Sequence, residues 1–280
     1  GEVLSWNGTD YDWIAAPAAL DGQTDSASPF ETSLGFEAGL NTTGSGNTFT
    51  GYQAGKTNTT GAYNTSIGYL SGTSLNAGQN ATFGSFSGRF VTSGARNTLI
   101  GSSAGSAITT GSSNVALGKG AMDAATTGGN NIAIGQGAMG VGVATAGSGD
   151  NVAIGWKAGE DLTSGFSNTL LGANSGRSLT TGYLNCAFGD SALAGATTAI
   201  GNTSIGINAH SSVTGGNNTA LGRNAGQIGS GSNNTIIGYN ASASASTVSN
   251  EITLGNSSIT RFRIPAAGID NTSAALSGTT

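Results

Sequence analysis

The chain lacks most of what catalysis and membrane insertion draw on. Only 8% of its 280 residues are charged, against roughly 25% in ordinary globular proteins. It has one histidine, His210, and one cysteine, Cys186. A lone cysteine excludes an internal disulfide and leaves the redox compartment open. The nine basic residues lie far apart, so no basic face invites nucleic acid. No apolar run approaches the roughly 18 residues of a membrane span, so no membrane insertion is expected. The sequence starts at Gly1 with neither Met nor a signal-peptide pattern. It reads as a processed product or a piece of something longer.

Glycine, by contrast, is abundant: 49 of 280 residues, beside only three prolines. Disordered chains are usually rich in charge and proline, and this one is not. Its glycines must therefore be placed.

Their placement is periodic. A glycine that follows an apolar residue recurs at 35, 51, 68, 84, 101, 118, 135, 155, 172, 189, 206, 222, 238 and 255, at spacings of 16 or 17 with a single 20. So constant a period decides the architecture before any local propensity does. Counted from this anchor, position minus four is Asn in twelve of fourteen units: Asn47, Asn64, Asn80, Asn97, Asn114, Asn131, Asn151, Asn168, Asn185, Asn202, Asn218 and Asn234. The end units carry Glu31 and Glu251 there, and atypical end repeats suit the caps of a stacked array. Position minus one is apolar in thirteen of fourteen, and plus three is Ala or Ser from Ala38 to Ala241. Position plus seven is often apolar again, as at Leu75, Val91 and Leu162.

Seventeen residues are too few for two helices and a turn, and the alternation around the anchor has period two, which argues strand. The reading is all-β: a parallel β-solenoid of about 14 coils, each with two short strands and two turns, stacked about 4.8 Å apart. Glycine supplies positive φ at the corners. The Asn column becomes a ladder, each amide bonding the next and capping the turn backbone. The solenoid domain spans 31–255, behind an N-terminal hairpin or cap region at 1–30 and before a closing strand and tail at 256–280.

Positions minus three and minus one share a face and carry the larger aliphatics, so that face is expected inside, with Ile154 in the core. Position minus two then points outward. Nine of its fourteen residues are apolar, and an outward apolar column usually meets a partner. A single coil also has a thin core. Both points argue for a homo-oligomer, with three-fold symmetry as the simplest closed arrangement of parallel rods.

NVAIG (151–155), NIAIG (131–135), NTSIG (202–206) and NTALG (218–222), each followed by Ala or Ser, resemble the head repeats of YadA-like trimeric adhesins. The resemblance covers about residues 31–255 and implies a trimer of left-handed parallel β-rolls. The longer coil and the TTG second turn depart from that family. The flanks, GEVLSWNGTDYDWIAAP (1–17) and EITLGNSSITRFRIPAAGID (251–270), are similar to segments of bacteriophage tail fibres. In the first, Asn7-Gly8 signals a hairpin, with Trp6, Tyr11 and Trp13 as its small core. The second adds a strand with Arg261 and Arg263. Together these imply a structural and adhesive fibre segment of a phage tail fibre: virion-borne, extracellular, joined to other fibre or tail proteins. The alternative is the head of a bacterial trimeric adhesin at the cell surface. An ice-binding solenoid is weaker, because the Thr column at minus three should face inward.

Catalysis is not expected, nor is a cofactor or a metal. His210 stands where other units have Gly and reads as an exposed turn residue. Cys186 replaces Thr or Val in a column expected inside, where a free Cys behaves as a small hydrophobe. One residue after the anchor come Phe36, Tyr52, Tyr69, Trp156 and Tyr239. Of these, Tyr52, Tyr69, Trp156 and Tyr239 are candidate contacts for a host glycan; the plainer reading is that each covers its own turn. The three residues inserted between Gly135 and Gly155, near 140–150, form either a binding knob or a tolerated bulge.

Overall fold

The computed structural model describes residues 2–6, 11–15, 31–142 and 149–261. Strands β1 (Glu2–Trp6) and β2 (Tyr11–Ala15) pair antiparallel, Trp6 opposite Tyr11 and Glu2 opposite Ala15. The turn at 7–10 and the side chains of this hairpin, the expected aromatic core included, lie outside the described residues. From residue 31 onward the chain is a β-solenoid. Fourteen three-residue strands, from β3 (Thr32–Leu34) to β16 (Ile252–Leu254), form one parallel sheet in strict chain order. Register never slips. Even across the 20-residue spacing, β9 (Ile132–Ile134) and β10 (Val152–Ile154) align Ile132 with Val152 and Ile134 with Ile154. Residues 143–148 of that insertion lie outside the described residues.

Each coil has one strand where two were expected. The segment after the anchor still hydrogen-bonds coil to coil, as in Gly39 N–H to the Ala54 carbonyl at 2.9 Å and Thr43 N–H to the Thr59 carbonyl at 2.7 Å. It is not extended, because left-handed residues interrupt it at plus two and plus four, for example Gln53 (φ 54) and Gly55 (φ 62). Residues 256–261 hold a turn at 257–258 and no strand; the rest of the expected closing segment, Arg263 included, lies outside the described residues. At the anchor itself glycine is obligatory. Gly155 has φ +139, and a Cβ there would stand 2.4 Å from the carbonyl oxygen of Gly172 in the next coil.

The strand faces are the reverse of the expectation. The minus-two column is the buried one: Phe49, Leu99, Ala116, Ala133, Ala153, Leu170, Ala187, Ala220 and Ile236 are all inaccessible. The minus-one column faces out, half-buried at Thr50, Phe83, Ile134, Ile154 and Leu171 and exposed at the other nine positions. The cause is room. The lumen of so short a coil already holds the Ala and Ser residues at plus three and the aliphatics at plus seven, such as Leu75, Ile108 and Leu162, all fully buried. Small side chains fit the remaining space, and the large ones are turned outward.

A large residue enters the minus-two column only where the turn makes way. Opposite Phe49, a Cβ at Gly55 would come within 2.4 Å of the ring; opposite Leu99, one at Gly105 would come within 2.8 Å. In four coils where minus two is small, plus four is large: Ala116 with Met122, Ala133 with Met139, Ala187 with Leu193, and Ser204 with His210, all buried. In these coils volume is exchanged between strand and turn, as close packing requires. His210 is therefore a core residue, not an exposed turn residue.

Candidate functional site: the outer face, the corners and the buried ladder

The Asn column shares the inward face of the strand and runs as a continuous ladder. Each Asn side-chain oxygen accepts the backbone N–H of the next rung at 2.9–3.1 Å, from Asn47–Asn64 to Asn234–Glu251. Most rungs add a side-chain link: the Asn151 amide donates to Asn131 Oδ1 at 3.0 Å and to the Gly165 carbonyl at 3.0 Å. The ends are closed by carboxylates. Glu31 accepts from the Asn47 amide at 3.1 Å. Glu251 accepts from Ser244 and from Thr253, at 2.6 Å for the latter, and these bonds hold its carboxyl below the usual range. A carboxylate cannot donate, so Glu251 cannot add the side-chain link back to Asn234 Oδ1 that most rungs make.

The outer face of the sheet carries an apolar strip. Leu34 is 61% exposed, and Ile67, Ile100, Leu117, Phe188, Ile205, Leu221, Ile237 and Leu254 also lie open. Beside them stands the minus-three column, with Thr at Thr32, Thr48, Thr65, Thr98, Thr169, Thr203, Thr219 and Thr235. Cys186 lies in this outward column, half-buried, and is not the core thiol expected. Ile154 is half-buried on the same face.

The aromatic column also lies open, but not as one site. Phe36 stacks on Tyr52 at 5.5 Å between centroids, and Tyr52 on Tyr69 at 5.2 Å; Tyr69 meets Phe86 edge-on at 5.4 Å. Both faces of Tyr52 are thus occupied. Arg89 sits over Phe86 and Phe90 at 5.3 and 4.9 Å. Trp156 stands five coils beyond Tyr69, about 24 Å along the axis at the usual strand spacing, with the Lys157 ammonium 5.1 Å from its ring centre. Tyr239 is as far again, with Arg223 at 5.9 Å.

At the corner formed by residues two and five after the anchor, charge is paired within a coil and between coils. Glu37 bonds Lys56 at 2.6 Å, which with Gln53 lowers its carboxyl. Glu160 is nearly buried. Desolvation pushes its carboxyl up, but Lys157 at 2.9 Å and Arg177 at 2.8 Å outweigh that and leave it lowered. His210 Nδ1 lies 2.9 Å from Ser204 Oγ, and its buried Nε2 has no partner; burial lowers its pKa to about 4. Among the described residues no three His, Cys, Asp or Glu side chains gather as a metal site, and no helix is long and apolar enough to cross a membrane.

A polar groove at the same corner, lined by Asn208, Asn224 and Asn240 among others, was not anticipated from sequence. Its signal was present: Asn two residues after three successive anchors, a residue type that tolerates left-handed backbone. Comparison with known proteins adds no identity, because no protein family, no curated protein and no solved structure matches the chain.

Proposed function

We propose that the chain is a structural and adhesive fibre segment, of a bacteriophage tail fibre by the likeness of its flanks, assembled as a homotrimer through the outer face of its sheet. The observation that carries this is the minus-one strip. Nine large apolar or aromatic side chains stand exposed in one straight column along fourteen coils. A strip of that length on a soluble protein marks an interaction surface. Parallel rods with an identical strip close on themselves by rotation about an axis along the rod. The face supports association; the number three comes from the likeness of the NVAIG-type repeats to trimeric adhesin heads, which is also why a bacterial surface adhesin is the alternative.

The adhesive part rests on the exposed aromatics. Among the described residues Trp156 and Tyr239 each stack on no other aromatic ring, while Tyr52 is enclosed in its stack. Three copies of a weak glycan contact add into useful avidity. The test is attachment of the isolated assembly to a panel of bacterial cells, with Tyr52, Tyr69, Trp156 and Tyr239 changed to Ala. Binding lost in the variant supports glycan contact; binding unchanged makes these residues packing; no binding by the parent makes the segment a shaft.

A second reading draws on the reversed faces. The Thr column expected inside stands on the outer face beside the aliphatic column, an arrangement suited to ordering water in an ice-binding solenoid. A monomer showing thermal hysteresis would favour it, since association would cover that face.

A further inference from the structure

We infer that the groove across the last coils is a binding site for a neutral, hydroxyl-rich ligand, an oligosaccharide. This deepens the adhesive reading and rests on it for where such a ligand would be met. The groove holds about 620 Å³ and is lined by Asn208, Ser211, Asn224, Gln227, Asn240 and Ser242. That volume lies within the usual range of small-ligand sites.

The walls follow from the repeat. Asn208, Asn224 and Asn240 each stand two residues after an anchor glycine, in left-handed backbone at φ 55, 55 and 52. Their side chains are therefore stacked coil on coil. The Asn208 amide donates to Asn224 Oδ1 at 3.3 Å, and the Asn224 amide to Asn240 Oδ1 at 2.8 Å. Beside them Ser211 Oγ donates to Gln227 Oε1 at 2.9 Å, and Gln227 Nε2 to the Asn208 carbonyl at 2.9 Å. These bonds fix the amides in one orientation. Each amide has more donors and acceptors than the relay uses, so a row of aligned donor and acceptor sites remains on the groove side.

At two other places along the stack, long charged side chains fill this corner. Lys56 crosses to Glu37, and Arg177 and Lys157 close on Glu160. At the last coils the corresponding positions hold Ser211, Gln227 and Ala243, with no long charged side chain, and the corner opens.

The chemistry selects the ligand class. No charged residue lines the groove, so an anion or cation would shed hydration for no countercharge. The walls are amides and hydroxyls, so a hydrocarbon gains little. Vicinal hydroxyls both donate and accept, and match paired amide groups. The coil step of about 4.8 Å is comparable with one pyranose unit, so successive rings of a linear oligosaccharide fall on successive asparagines.

The test is a titration of the full chain with maltohexaose, cellohexaose and mannohexaose, with hexagalacturonate as the charged comparator. Two variants are used: Asn224→Asp, which charges the relay and removes its donor to Asn240, and Ser242→Trp, which fills the groove from its rim. At least one neutral hexasaccharide should bind, the charged one roughly tenfold or more weaker, and each variant should lose roughly tenfold or more, the equivalent of about one good hydrogen bond. Absence of binding by every neutral probe, or binding that both variants leave intact, would overturn the inference. Light scattering on the same samples separates the two readings. A trimer that ignores the sugars refutes the groove alone; a monomer that binds them refutes the fibre assembly alone.

Discussion

Leu170 occupies the space in front of Gly176: a Cβ on Gly176 would stand 2.7 Å from Leu170 Cδ2. One coil on, the arrangement is inverted, with Ala187 in the strand and Leu193 in the turn, both buried. Leu170→Ala should cost about 2–5 kcal/mol through the cavity it leaves. Gly176→Leu alone should cost about 1–3 kcal/mol or more by overpacking. The backbone admits leucine, since Leu193 holds φ 60 where Gly176 holds φ 56. The double variant should recover most of the loss. A double-mutant cycle from chemical denaturation checks this; additive effects, with no coupling between the sites, would contradict the volume exchange.

His210 makes the fold acid-sensitive. Its folded pKa of about 4 lies below the 6.5 of the unfolded chain. Between those values the unfolded state binds the proton more readily, so acid favours unfolding. The contribution is absent above pH 6.5, grows as pH falls, and levels off below 4 at on the order of 3 kcal/mol. Melting temperatures from pH 8 to pH 4 should fall more steeply for the parent than for His210→Met, the residue that Met122 and Met139 place in this column. Parallel curves would place the acid sensitivity elsewhere.

The ladder predicts an ordering of two substitutions. Asn151→Ala leaves buried partners unpaired at about 1–3 kcal/mol for each group. Asn151→Asp should cost more at neutral pH, because a carboxylate cannot donate to Asn131 Oδ1 or to the Gly165 carbonyl and is itself buried. Burial raises such a carboxyl, so relative to the parent this variant should regain stability as pH falls. Denaturant midpoints at pH 7 and pH 5 check both points; an Asp variant more stable than the Ala variant at pH 7 would show that the column is hydrated.

The period, the parallel stacking and the Asn ladder were all legible, because each depends on one residue type recurring in one place. The facing of the strand was not. Three residues between the Asn and the anchor glycine give two apolar faces, and size points to the wrong one: it puts Ile154 inside and Ala153 outside. A constraint was present in the same pattern. Asn151 and Ala153 share a face, and an Asn whose amide is to bond rung to rung and cap a turn belongs inside, so Ala153 does too. The buried ladder and the outward minus-two column were incompatible. The burial of His210 is hidden for a related reason. Its column is glycine in most coils, which reads as an exposed turn, whereas there the glycine makes room for a neighbour's side chain.

The reversed faces give Ile154 a new expected phenotype. Ala153→Asp should unfold the middle coils, since it buries a charge without a partner. Ile154→Asp should leave the coil folded and weaken association. Circular dichroism melts beside sedimentation separate the two; an unfolded Ile154→Asp would return that column to the core.

The most direct test of the account is the mass of the assembly in solution. For a chain of 27.2 kDa, native mass spectrometry at micromolar concentration should show a trimer, and Leu117→Asp with Ile205→Asp on the outer strip should convert it to a folded monomer. A parent chain that remains monomeric at that concentration would contradict the assignment of the outer face as the assembly surface.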